Sequence, residues 1–181
     1  MLTINSEVSE AKLTDLKPGE LFHYSGSQGN FLAMVVQNEP QHYANWIRLT
    51  GKDKFRMNDL GSPDSESYVH APTVLRLGIR HDALRFRIDH NRLKRGNNVH
   101  AIGTLVIDDQ PRIVTRFGQG ELDARNAWAV SLTDFSRNSP IDWGAYFCDT
   151  WQLVYAPAGA DVEIIAECAP SKSATVTTLS L

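Results

Sequence analysis

Apolar and polar positions alternate with a period of two along most of the chain. Leu75, Leu77 and Ile79 alternate with Arg76, Gly78 and Arg80, and Leu84, Phe86 and Ile88 alternate with Arg85, Arg87 and Asp89. Successive side chains of a strand point to opposite faces, so each run predicts a strand with one apolar and one basic side. With His81-Asp82 between them, the two runs predict a β-hairpin. Phe31-Leu32-Ala33-Met34-Val35-Val36 is a continuous apolar run and predicts a buried strand. The turn 25–30 before it contains Gly26 and Gly29, which supply the positive φ of a hairpin. Further strands are expected at 45–49, 99–107, 112–117, 127–132, 146–155 and 162–168, and residues 174–179 have β propensity. Residues 7–15 are the one helix candidate, and the polar stretch 51–67 reads as a long loop. Short strands punctuated by turn signals predict an all-β sandwich or barrel.

The pattern also echoes itself. Leu16-Lys17-Pro18-Gly19 through His23 to Gly26 returns as Leu93-Lys94-Arg95-Gly96 through His100 to Gly103. Trp46 leads into Leu49-Thr50, and Trp128 leads into Leu132-Thr133. Ala71-Pro72 ahead of Val74 resembles Ala156-Pro157 ahead of Val162. Matches in the same order point to duplicated architecture. The expected organisation is an N-terminal arm 1–15, a first β-rich half 16–91, a second β-rich half 92–170 and a C-terminal arm 171–181.

Composition narrows the class. At 181 residues and 42% hydrophobic content, the chain buries a sufficient core without metal or disulfide. Met1-Leu2-Thr3-Ile4-Asn5 lacks the basic start and apolar stretch of a secretory leader, and no apolar run nears the ~20 residues of a membrane helix. A cytoplasmic protein, or one that is part of a particle, is the expectation, with no membrane partner. Cys148 and Cys168 lack C-x-x-C spacing and read as free thiols.

The net charge of −3 hides an asymmetry. Arg76, Arg80, Arg85, Arg87, Arg92, Lys94 and Arg95 stand within twenty positions against Asp82 and Asp89, a local balance of +5 that leaves −8 on the rest. Arginine presents a planar fork suited to carboxylate or phosphate. The segment 76–95 is therefore the candidate interface or anion-binding surface. Its partner is an acidic neighbouring subunit, an anionic ligand or, ranking lower, nucleic acid, because no aromatic side chains interleave the arginines. A solvated sheet face is the plainer reading of the same charges.

Catalytic signals are few. Ser9-Glu10-Ala11-Lys12 matches S-x-x-K without its companion motifs. His23 and His100 stand at matched places in the echo but lack a ligand at the second position onward. His81-Asp82 and Asp89-His90 bracket the expected hairpin with zinc-type donors, which turn chemistry explains equally. No phosphate-binding loop is present, and no cofactor or metal is expected. Trp143, beside Pro140 and Gly144, is the candidate exposed aromatic. These features point first to a non-catalytic structural or interaction protein in a homo-oligomer or larger assembly, with a virus particle as one setting. A binding module for an anionic ligand is the alternative. An enzyme with a dispersed site drawn from His23, His100, Asp108 and Tyr155 is the third.

Overall fold

The computed structural model describes residues 7–36, 45–61, 65–79, 83–96, 101–107, 110–117, 127–138, 146–159, 161–168 and 177–178. The chain is all-β. Its strands are β1 (Val8–Lys12), β2 (Leu21–Gly26), β3 (Gly29–Val36), β4 (Asn45–Arg48), β5 (Arg56–Asp59), β6 (Thr73–Leu77), β7 (Leu84–Ile88) and β8 (Lys94–Arg95). They continue with β9 (Leu105–Ile107), β10 (Pro111–Phe117), β11 (Ala127–Ser131), β12 (Arg137–Asn138), β13 (Tyr146–Cys148), β14 (Trp151–Tyr155), β15 (Glu163–Cys168) and β16 (Thr177–Thr178). The helical content described is one short α-helix, Glu66–Val69, and 3-10 turns at Leu13–Asp15 and His90–Arg92.

Two six-strand antiparallel sets have the same internal order. The first runs β1-β6-β2-β3-β4-β5, and the second runs β8-β13-β9-β10-β11-β12. A short parallel contact, Arg116 with Arg56 and Phe117 with Met57, joins β10 to β5 and makes one twelve-stranded sheet. A separate four-stranded sheet, β15-β14-β7-β16, takes β7 from the first part of the chain and β14 from the second. The path among the described residues does not close into a barrel.

The registers of the two sets coincide as well. In the first, Leu77, Leu21, Met34, Ile47 and Met57 face one another in turn across the strands. In the second, Cys148, Leu105, Ile113, Val130 and Arg137 do the same. Ahead of β2, Glu20 donates to the Lys17 carbonyl at 3.0 Å, and Gly19 donates to the Val35 carbonyl at 2.8 Å. Ahead of β9, Thr104 donates to the Ala101 carbonyl at 3.0 Å, and Gly103 donates to the Val114 carbonyl at 2.8 Å. Both turns need a left-handed residue, which glycine supplies without a Cβ penalty: φ is 85° at Gly19 and 86° at Gly103. Leu49 donates to the Leu32 carbonyl, as Leu132 does to the Pro111 carbonyl. Phe55 and Phe135, each just before the last strand of its set, have φ of 64° and 61°.

Alternation decides the core. The rung Leu77-Leu21-Met34-Ile47-Met57 and the residues Cys148, Leu105, Ile113 and Val130 are buried against Phe86, Trp151, Leu153, Tyr155 and Ile165 of the four-stranded sheet. Phe55 lies 5.2 Å from Trp151, centroid to centroid, and Phe86 lies 5.6 Å from it. The Trp151 indole N–H donates to the Gly103 carbonyl at 2.7 Å, so this large ring is buried with its donor satisfied. The opposite face of the first set has its own small core of Phe22, Phe31, Ala33, Val35, Trp46 and Val74, capped by Leu13, Leu16 and Leu60.

Several expectations change. The runs 75–79 and 84–88 are strands but not a hairpin: β6 pairs with β1 and β2, whereas β7 pairs with β14 and β16. Alternation identifies a strand and its faces, and is silent on its neighbour. The helix expected over 7–15 is strand β1 followed by a 3-10 turn, because five residues pair along β6. The first set therefore begins at Val8, inside the stretch read as an arm. The loop 51–67 contains β5 and the start of the short helix. The run 146–155 breaks at Asp149-Thr150 into β13 and β14, which belong to different sheets. Within 174–179, Thr177–Thr178 pairs with β7.

Candidate functional site

The described residues of the basic segment are divided between two sheets, with β6 and β8 in the twelve-stranded sheet and β7 in the four-stranded one. Arg76 Nη2 lies 2.6 Å from Glu20 Oε1, tied to its own set. Arg85 and Arg87 alternate with buried Phe86 on β7 and so occupy the outer face of the four-stranded sheet. Arg92 lies 3.8 Å from both Asp89 and Asp149, and Lys94 lies 3.9 Å from Asp149. Arg95 is exposed on β8, at the end of the twelve-stranded sheet. Arg80 and Trp143 lie outside the described residues, as do His81, Asp82, His100 and Asp108.

The remaining candidates are accounted for locally. His23 stands between Leu75 and Leu32 on adjacent strands, while Tyr155 is 7% exposed in the central core, on another sheet. Asp89 is buried and accepts from the Asn91 amide at 3.0 Å, closing the turn. Among the described residues no group of three or more metal-type side chains converges. No helix among them is long and apolar enough to cross a membrane. Cys148 and Cys168 are free, and burial pushes both thiols above their ordinary range. The Cys148 thiol donates to the Thr150 carbonyl at 3.0 Å.

The unexplained surface lies at two terminal strands of the twelve-stranded sheet among the described residues, β1 and β8. At the first, a rung runs Glu10-Leu75-His23-Leu32 across β1, β6, β2 and β3. Glu10 is exposed, and Leu75 is 42% exposed although it shares its face with the buried core. Val8, on the same face, is 53% exposed. Val8, Leu75 and Leu77 line a groove of about 430 Å³ with His23, Asn30 and Thr50. At the second end, the corresponding rung runs Arg95-Tyr146-Ile107-Pro111 across β8, β13, β9 and β10. Here Arg95 is exposed and Tyr146 is 51% exposed. Apart from Arg95 and His23, sequence reasoning missed this surface, because Leu75 alternates like any core residue. Only its place next to an edge strand uncovers it.

No protein-family model matches the chain, and neither curated proteins nor solved structures offer a match.

Proposed function

We propose that this chain is a non-catalytic structural protein, duplicated from one six-strand unit, that works by self-association in a homo-oligomer or larger assembly. A particle coat, such as that of a virus, is a setting that uses such modules. The observation that carries the reading is the exposed apolar surface at two terminal strands of the twelve-stranded sheet, β1 and β8. Among the described residues each end is a strand with one hydrogen-bonded neighbour, and large apolar side chains are exposed there, Val8 and Leu75 at one end and Tyr146 at the other. An open edge is a template for pairing with another chain, and an apolar strip beside it adds contact area. The matched order, register and turn hydrogen bonds of the two sets support duplication. Sedimentation across a wide concentration range tests the reading: mass should rise with concentration. A monomer throughout would end it.

The outer face of the four-stranded sheet favours a second reading, an anion-binding module. Arg85 and Arg87 stand side by side there, and the Arg87 Nε is buried without a hydrogen-bond partner. Phosphate, nucleic acid or an acidic protein would suit the guanidinium pair. Binding that falls steeply with salt and is lost in the double variant Arg85→Glu, Arg87→Glu would establish it.

A further inference from the structure

We infer that the groove beside Leu75 is a binding site for a small neutral amphiphile, a molecule with an apolar tail and a carbonyl head that accepts hydrogen bonds. The inference goes beyond self-association and does not rest on it.

Strand register sorts the groove by polarity. Residues two apart on a strand share a face, so successive rungs on this face run Leu77-Leu21-Met34, then Leu75-His23-Leu32, then Ser25-Asn30. Val8 pairs with Leu77 and adds to the apolar end. Thr50 is held at the other end, where its hydroxyl oxygen accepts from the Leu32 amide at 2.8 Å. From Leu21 to Ser25 the rungs span about 13 Å, at the usual rise of a strand. Leu32 and Leu77 are buried, whereas Val8 and Leu75 are exposed. The space among these walls is about 430 Å³, and every residue lining it is described. Sites for small organic molecules hold roughly 300–1,000 Å³ and combine apolar walls with a few placed polar groups.

The polar groups select the head. Thr50 Oγ1 already accepts a hydrogen bond, which leaves its O–H to donate. Asn30 Oδ1 accepts from the Ser25 hydroxyl at 2.8 Å, which leaves its NH2 group to donate. The His23 imidazole has no hydrogen-bond partner among the described residues. Donors at one end of an apolar groove call for an acceptor. None of the lining residues is Asp, Glu, Lys or Arg, so no fixed charge would offset the desolvation of an ionic head. An amide or ester carbonyl fits where a carboxylate or an ammonium does not. The tail then covers Val8 and Leu75, removing exposed apolar surface from water.

The test titrates octanamide into the full-length chain, at a concentration low enough for single copies, with calorimetry and nuclear magnetic resonance of the His23 ring. Binding should saturate at one molecule per chain and shift the His23 signals. Octanoate and octylammonium should bind about tenfold or more weakly. Leu75→Glu should weaken octanamide binding by about tenfold or more, and Asn30→Ala, which removes one donor, by about threefold. Ile164→Glu, at another exposed apolar residue on β15, should bind as the wild type does. Thermal unfolding of each variant checks that its fold is kept, and the His23 shift needs no substitution at all. The site is overturned if octanamide does not saturate, if the His23 signals stay still, if octanoate binds as well, or if Ile164→Glu weakens binding as much as Leu75→Glu. Each of these results leaves the sedimentation test of self-association standing.

Discussion

In the loop between β4 and β5, Asp53 lies between two arginines; in the loop between β11 and β12, Asp134 lies between two serines. The flanking positions correspond, Arg48 to Ser131 and Arg56 to Ser136, and each loop then delivers a left-handed phenylalanine to the core. In the first loop Asp53 is 3.9 Å from Arg48 and 3.7 Å from Arg56, long ion pairs around a half-exposed carboxylate. Arg48 is held more firmly elsewhere: its guanidinium sits 4.3 Å from the Phe31 ring centre, and Nη2 donates to Gln28 at 2.9 Å. In the second loop Asp134 accepts from the Ser136 hydroxyl at 2.7 Å and from its amide at 3.0 Å. The Ser131 hydroxyl, fully buried, accepts from the Thr133 and Asp134 amides. One backbone shape is thus held by screened charge in one half and by short neutral-to-ionic hydrogen bonds in the other. Corresponding architecture does not require corresponding residues, only donors and acceptors in the right places.

The largest test of the comparison is at the phenylalanines. Phe55→Ala should cost about 3–5 kcal/mol, since the ring is buried and packs on Trp151. Phe135→Ala should fall at the low end of that range, because Phe135 is 9% exposed and already borders a cavity of about 60 Å³. Denaturant unfolding gives both values, and equal losses would erase the distinction between the halves. Next in size are the glycines. Gly19→Ala should cost about 1–2 kcal/mol from its positive φ. Gly103→Ala should cost more, because a Cβ there would run into the Phe55 ring. The smallest effects belong to the aspartates. Asp53→Asn should cost less than about 1 kcal/mol and lose that cost in 1 M salt. For Asp134, partial burial raises the carboxyl pKa, but the bonds from Ser136 and Ser131 together outweigh it and hold the group below its ordinary 3.8. A carboxylate with a depressed folded pKa stabilises the fold above its unfolded pKa, and that contribution is lost as pH falls through the folded value. Asp134→Asn should therefore be destabilised at neutral pH and converge on the wild type in strong acid. Parallel pH curves for the two proteins would remove the hydrogen-bond argument.

Much of this fold was legible from alternation and turn residues. Strands β2, β3, β4, β7, β10, β11, β14 and β15 fall on apolar or alternating runs, and Gly29 marks a true hairpin turn. The Leu49-Thr50 and Leu132-Thr133 match is in the structural register. The longer echo is not: Gly19 corresponds to Gly103, not Gly96, and His23 corresponds to Ile107. Trp46 and Trp128 lie on corresponding strands one residue apart, so they face opposite sides, Trp46 toward the small core and Trp128 toward the large one. A one-residue slip flips a side chain across a sheet, and sequence similarity alone does not fix it. Ala156-Pro157 follows β14 whereas Ala71-Pro72 precedes β6, so that match joins unlike places. The candidate surface was least legible, because exposure of Leu75 and Tyr146 depends on which strands end the sheet.

The four-stranded sheet has a consequence for how the molecule reaches its native state. Its central pair joins residues 84–88 to residues 151–155, across more than sixty positions of chain. Each six-strand set can form largely from hairpins as it emerges from the ribosome, yet the apolar side of β7 has no partner strand until Tyr155 has been made. Non-local pairings of this kind slow folding and leave apolar surface open in the interval. The first half is therefore expected to wait as a partly assembled intermediate, and a chain truncated before Trp151 should aggregate rather than persist as an independent module.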